Sequence, residues 1–214
     1  MCVGLYTGPT FLDCWIFSVT DIAVRAGRGR GIARFMLKKI GIGLAGLLVV
    51  LGIVVALQPA TFRIERSAQI QAPSGVVYGL VDDFHAWKAW SPWASLDPNM
   101  KTTYGGPPKG QGAEYTWSGN DKVGSGRMQI VRASEPSELD VQLQFTAPMT
   151  ATNMAEFRFK PEADGTRVSW AMTGENGFIG KAFSLVMNMD KMLGADFERG
   201  LSALKQQAES KAAK

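Results

Sequence analysis

Three hydrophobic periodicities divide the chain. From Ile40 to Leu57 the apolar positions leave no polar face: Leu44, Leu47, Leu48, Val49, Val50, Leu51, Ile53, Val54 and Val55 run right around a helix. At ~1.5 Å per residue this run spans ~27 Å, close to the ~30 Å hydrocarbon core of a bilayer. The pattern predicts a transmembrane helix over residues 40–57. From Phe62 the period drops to two, with Phe62, Ile64, Arg66, Ala68 and Ile70 alternating against Arg63, Glu65, Ser67 and Gln69. Ala72-Pro73-Ser74 breaks that strand, and Val77, Leu80, Val81 and Phe84 then recur at helical spacing. A second short helix carries His85 to Trp90 and stops at Pro92.

Period two returns in several runs separated by turn residues. Ala113, Tyr115 and Trp117 share one face, as do Met128 and Ile130, then Leu139, Val141, Leu143 and Phe145. Ala155, Phe157 and Phe159 are followed by Val168, Trp170 and Met172, with Asp164-Gly165 marking a hairpin between them. The last element is helical from about Lys181 to Glu209, where Phe183, Val186, Met187, Leu193, Phe197, Leu201 and Leu204 form one stripe. An antiparallel meander closing over a long terminal helix gives an α+β architecture, in which the volume left unfilled between sheet and helix becomes a cavity.

Charge adds direction. Arg25, Arg28, Arg30, Arg34, Lys38 and Lys39 precede the apolar run, whereas only Arg63 and Arg66 follow it closely. The positive-inside bias keeps the N-terminus cytoplasmic and sends the C-terminal domain to the extracytoplasmic side of the cytoplasmic membrane. A signal peptide cleaved after Val54-Val55-Ala56 competes with this reading, but the run exceeds the usual h-region of about 7–15 residues. The expected organisation is a basic tail over 1–39, the spanning helix over 40–57 and one folded domain over 61–210. Residues 61–214 carry 17 basic and 17 acidic groups, so the basic balance belongs to the tail and gives no reason to expect nucleic-acid binding. Cys2 and Cys14 both lie in the tail, which leaves the domain without a disulfide or thiol nucleophile. Residues 1–35 lack fold periodicity, and Met36 reads as the natural start.

The order of elements, Ala72-Pro73 before the first helix, the segment Trp87-Lys88-Ala89-Trp90-Ser91-Pro92-Trp93 with Asp97-Pro98, and the ending Asp190-Lys191-Met192-Leu193-Gly194-Ala195-Asp196-Phe197-Glu198-Arg199-Gly200-Leu201 together resemble the SRPBCC (START-like) superfamily. Within it, the bacterial membrane-anchored polyketide cyclase/dehydrase-like branch is the most similar. The resemblance implies a helix-grip fold, a curved antiparallel sheet wrapped around a long C-terminal helix, with an apolar ligand cavity between them. It implies no particular substrate.

In register, the face toward the helix presents Tyr115, Trp117, Met128, Leu143, Phe145, Phe157, Phe159, Trp170 and Met172, with Phe183 and Met187 added from the helix. These are the candidate ligand-binding residues, and an ordinary filled core is the competing reading. Asp190 continues the helical stripe and is the sharpest acid–base candidate, against the simpler reading of an edge carboxylate paired with Arg or Lys. Glu114 and His85 are the other candidate proton carriers. Asp82, Asp83 and His85 suit capping and solvated charge better than a metal, and no cofactor motif is present. Gly105-Gly106-Pro107-Pro108 with Gly110 and Gly112 is expected to form a flexible loop at the cavity mouth, without the context of a phosphate loop. The leading expectation is a membrane-anchored binding domain for an apolar or amphipathic small molecule, such as a lipid. A cyclase or dehydratase acting on a hydrophobic substrate and a ligand-free structural or regulatory envelope protein are the alternatives.

Overall fold

The computed structural model describes residues 36–214. The expectations for Cys2, Cys14, the basic tail up to Arg34 and the start at Met36 concern residues 1–35 and fall outside these. Met36–Ala56 form one helix, α1, whose apolar window has a mean hydropathy of 2.4. It is long and apolar enough to cross a membrane. Leu57–Lys214 form a separate compact unit.

Within that unit, β1 (Thr61–Ile70) leads into α2 (Ser74–Val81) and a 3-10 turn, Ala86–Ala89. Strands β2 (Lys101–Gly105), β3 (Glu114–Ser118), β4 (Ser125–Ser134), β5 (Glu138–Ala147), β6 (Ala151–Glu162) and β7 (Gly165–Glu175) follow. They form one antiparallel sheet in the order β1-β7-β6-β5-β4-β3-β2. The meander runs from β2 to β7, and β1 then pairs with the last strand, Ile64 opposite Met172 and Arg66 opposite Trp170. Register shifts in β4, at Ser125/Gly126 and Ile130/Arg132, bend the sheet. Its concave face carries Ile64, Ile130, Val141, Phe157, Val168 and Trp170, all buried. The other face carries cross-strand ion pairs such as Arg158–Asp140 at 2.6 Å and Arg63–Glu156 at 3.1 Å.

Two elements differ from the sequence expectation. Strand β2 has no apolar alternation and is exposed at every residue, so nothing in its pattern marks it as an edge strand; it forms because β3 offers a free ladder. The terminal helix is two helices, α3 (Phe178–Val186) and α4 (Met189–Ala212). Met187 is extended, and the Asn188 side chain accepts a hydrogen bond from the Lys191 backbone N–H at 2.9 Å, the N-cap that starts α4 afresh.

The α4 helix packs Phe197, Leu201, Leu204 and Ala208 onto the concave face, and its glycines set how closely it approaches. A side chain at Gly200 would lie 2.8 Å from the Trp170 ring, and one at Gly194 would collide with the Arg66 guanidinium. The last turn of α2 leaves backbone carbonyls unpaired within the helix. Indole N–H groups fill them, Trp87 donating to Val81 O at 2.8 Å and Trp90 to Leu80 O at 2.9 Å.

Candidate ligand site on the concave face

The concave face is filled at its centre and open at one end. At the centre, the Trp170 ring stacks on Phe197 at 4.2 Å and 5°, and on Phe157 at 5.1 Å. Trp90 and Trp93 meet it edge-on at 5.8 and 5.7 Å. Offset and edge-to-face pairs of this kind add to the burial of large apolar rings. Trp87 reaches Phe157 at 6.0 Å, so the aromatic segment after α2 plugs the middle of the grip.

Toward the Thr61 end of β1 the concave face loses this cover. There a cleft of about 860 Å³ is lined by Phe62, Phe145, Ala151, Asn153 and Gly174 from inward-facing positions, with Thr61, Arg63, Thr152, Met154, Thr173 and Glu175 from outward-facing ones around its rim. Gly174 is pressed between the Phe62 ring and the Asn153 carboxamide, and any side chain there would collide with both. The cleft therefore has a mixed lining, with Phe62, Phe145 and Met154 beside Asn153, Arg63, Glu175 and several threonines.

The predicted wall residues divide between these two regions. Phe157, Phe159, Trp170, Met172, Met128, Leu143 and Trp117 are buried, and Trp117 donates its indole N–H to Val123 O at 3.0 Å. Phe145 is half-buried, edge-on to Trp117 at 5.5 Å, and lines the open cleft. Tyr115 is half-buried among Phe84, Tyr104 and Trp117, where burial pushes its hydroxyl up to about 12. Phe183 and Met187 are exposed, because α3 does not continue the buried stripe of α4. Phe62, Asn153 and Gly174 were not among the sequence candidates. Phe62 already belonged to the alternation of β1, and extending that of β6 and β7 by one more position each would have found Asn153 and Gly174.

The candidate proton carriers are not brought together. Asp190 pairs with Arg66 through both carboxylate oxygens at 3.1 Å, and this hydrogen bonding holds its carboxyl below the usual range. Glu114 faces away from the core and bonds Arg127 and Gln129. His85 stacks on Tyr104 at 4.0 Å and meets Asp83 through Nδ1 at 2.9 Å. Among the described residues, no group of three or more His, Cys, Asp or Glu is arranged to hold a metal. The glycine-rich loop is at the opposite end of the sheet from the cleft. It is held by Gly110 N–H to Asp82 O at 3.0 Å and Gly112 N–H to Ile130 O at 2.8 Å, and it does not border this cleft, as a loop at the cavity mouth was expected to do.

Arg66 is the polar group whose role sequence reasoning left open. It occupies an inward position of β1, yet its guanidinium reaches Asp190 and Glu198 of α4, the latter at 2.9 Å. Residues 190, 194 and 198 fall on one helical face, so two carboxylates flank the glycine that makes room for the guanidinium. Both ion pairs raise the Arg66 pKa, and together they clamp the start of α4 to β1.

A seven-stranded antiparallel sheet closed over a long C-terminal helix, with two short helical elements after the first strand, is the helix-grip arrangement of SRPBCC-type domains. Residues 61–209 match the family described as polyketide cyclase / dehydrase and lipid transport, and the chain belongs to that family. Among solved structures it is similar to a protein of unknown function from Staphylococcus aureus, with a TM-score of 0.54, 10% identity, and coverage of 74% of this chain and 99% of that one. It is also similar to an uncharacterized protein from Rhizobium leguminosarum, with a TM-score of 0.52, 11% identity, and coverage of 70% and 95%. At these identities the likeness is one of fold. No curated protein matches the sequence.

Proposed function

We propose that the Leu57–Lys214 domain binds an apolar or amphipathic small molecule, such as a lipid, at the open end of its concave face. In this reading α1 anchors the chain in the cytoplasmic membrane and the domain works on the extracytoplasmic side, as the basic residues before α1 favour. The observation that carries the binding reading is the cleft of about 860 Å³ with Phe62 and Phe145 on its floor and a threonine-rich rim. Affinity would come from burying apolar ligand surface, at ~25 cal/mol per Å² before the costs of association.

The cyclase or dehydratase alternative draws no support from Asp190, Glu114 or His85, each held by a neighbouring side chain. Native mass spectrometry of the full chain extracted from its own membrane tests the binding reading. A co-purifying hydrophobic species that is lost in Phe145→Lys is the expected result. Full-length protein that is ligand-free across several detergents would overturn it.

A further inference from the structure

The α3 helix buries none of its residues, although most of them are apolar. Phe178, Ile179, Ala182, Phe183 and Val186 fall on one helical stripe, and the stripe is exposed, Phe178 by 63% and Val186 by 85%. Lys181 is the only charge between Phe178 and Val186. The turn between β5 and β6 adds a further exposed apolar side chain, Met149. An apolar surface this continuous signals an interaction site.

Its position says with what. The Asn176 backbone N–H, two residues before α3, donates to Ala60 O at 2.7 Å. Ala60 follows Ala56, the last residue of α1, by four residues, a reach of at most ~14 Å. The β5–β6 turn is at the same end of the sheet, since Phe145 pairs with Ala151 there and Thr61 pairs with Glu175. A chain that leaves a bilayer at Ala56 thus brings both apolar features within reach of the lipid headgroups. We propose that α3 and the Met149 turn lie in the lipid interface, so that the cleft between them opens onto the bilayer and its ligand enters without crossing bulk water. This rests on the anchoring reading of α1. An interfacial helix needs an apolar face, a polar remainder and some cationic character, and α3 has all three.

Site-directed fluorescence tests the proposal on the full chain. With Cys2 and Cys14 replaced by Ser, single cysteines are introduced as Ile179→Cys, Val186→Cys and Met149→Cys. Leu47→Cys marks α1, and Asp164→Cys marks the far end of the sheet. Each is labelled with an environment-sensitive dye in vesicles of phosphatidylethanolamine and phosphatidylglycerol containing nitroxide lipids. Quenching at 179, 186 and 149 about threefold or more above that at 164, by headgroup-depth nitroxides, is the expected result. Quenching at 47 with none at 179, 186 and 149 would overturn the interface while leaving the anchor standing. Loss of quenching at 47 together with the others would sink the anchor and this inference at once. A signal at 179 that changes only with protein concentration would assign the face to a second copy of the chain, and would also overturn it.

Discussion

The two ends of the same sheet meet opposite fates. Around Trp170 the concave face is sealed by Phe197 of α4 and by Trp90 and Trp93 from the segment after α2. Some residues away along β1, β6 and β7, the same inward-facing positions are Phe62, Asn153 and Gly174, beside a cleft instead of a ring cluster. One region holds the domain together, and the other is left free for something else. Both lie on the same inward alternation of the sheet, with Trp and Phe rings at the centre and Phe62 and Phe145 beside Gly, Asn and Thr at the cleft. What differs is whether a covering element arrives. The α4 helix does so through glycine-sized gaps at 194 and 200, while α3, just upstream, buries nothing.

Mutation should separate the two ends sharply. Trp170→Ala removes a ring that stacks on two others at full burial, and should cost about 3–5 kcal/mol in chemical denaturation. Phe183→Ala, an aromatic truncation of the exposed helix, should change stability by less than ~0.5 kcal/mol. Equal losses in the two variants would erase the contrast. Gly200→Val is the intermediate case. It pushes into Trp170 and Pro92 and should destabilise by about 1–3 kcal/mol, read as a lower denaturation midpoint.

Ligand retention should show the reverse ranking. Phe145→Lys places a charge on the cleft floor at a half-buried position, and should lower retention of the co-purifying species by about tenfold or more while the fold survives. A ligand that persists in folded Phe145→Lys would move the site away from the open end. The clamp sharpens the comparison locally. Arg66→Met removes the partner of both Asp190 and Glu198, so amide exchange in the first turns of α4 should accelerate while the central strands keep their protection. Asp190→Asn should do the same more weakly, since Glu198 still holds the guanidinium. Uniform acceleration across the sheet would show that α4 does not open as a separate unit.

The smallest effect concerns pH. Burial raises the Asp82 carboxyl above its ordinary range, so the folded state binds this proton more tightly than the unfolded chain does. Its contribution to stability is complete below the unfolded value near ~4 and is lost as pH rises through the higher folded value. Asp190, Glu162 and Glu209 run the other way: arginine or lysine partners lower them, and their contribution is lost as pH falls. Thermal midpoints of wild type and Asp82→Asn should therefore diverge from about pH 4 upward, with the variant gaining relative to wild type. Parallel curves would mean that the Asp82 charge is solvated in the fold.

The sequence alone determined the elements that depend on local spacing. Alternation named the inward residues of β1 and of β3 to β7, the unbroken apolar run named α1, and the Trp-rich and C-terminal segments pointed to the family. Strand β2 was not legible, because an edge strand exposed on both faces carries no alternation. The tertiary structure decided which parts of the concave face are filled. Three tryptophans close the centre from a segment that crosses the sheet, and the one-dimensional pattern does not say how far it reaches. The same limit hid the role of Arg66. A charge at an inward position reads as a misfit along β1, and only the fold brings Asp190 and Glu198, 124 and 132 residues later, across a glycine gap to neutralise it. The stripe from Phe183 to Leu204 is continuous in sequence, yet the Asn188 cap ends one helix and begins another. Burial therefore followed the packing of α4 on β1, because spacing fixes which way a side chain points and only a neighbouring element fixes what it meets.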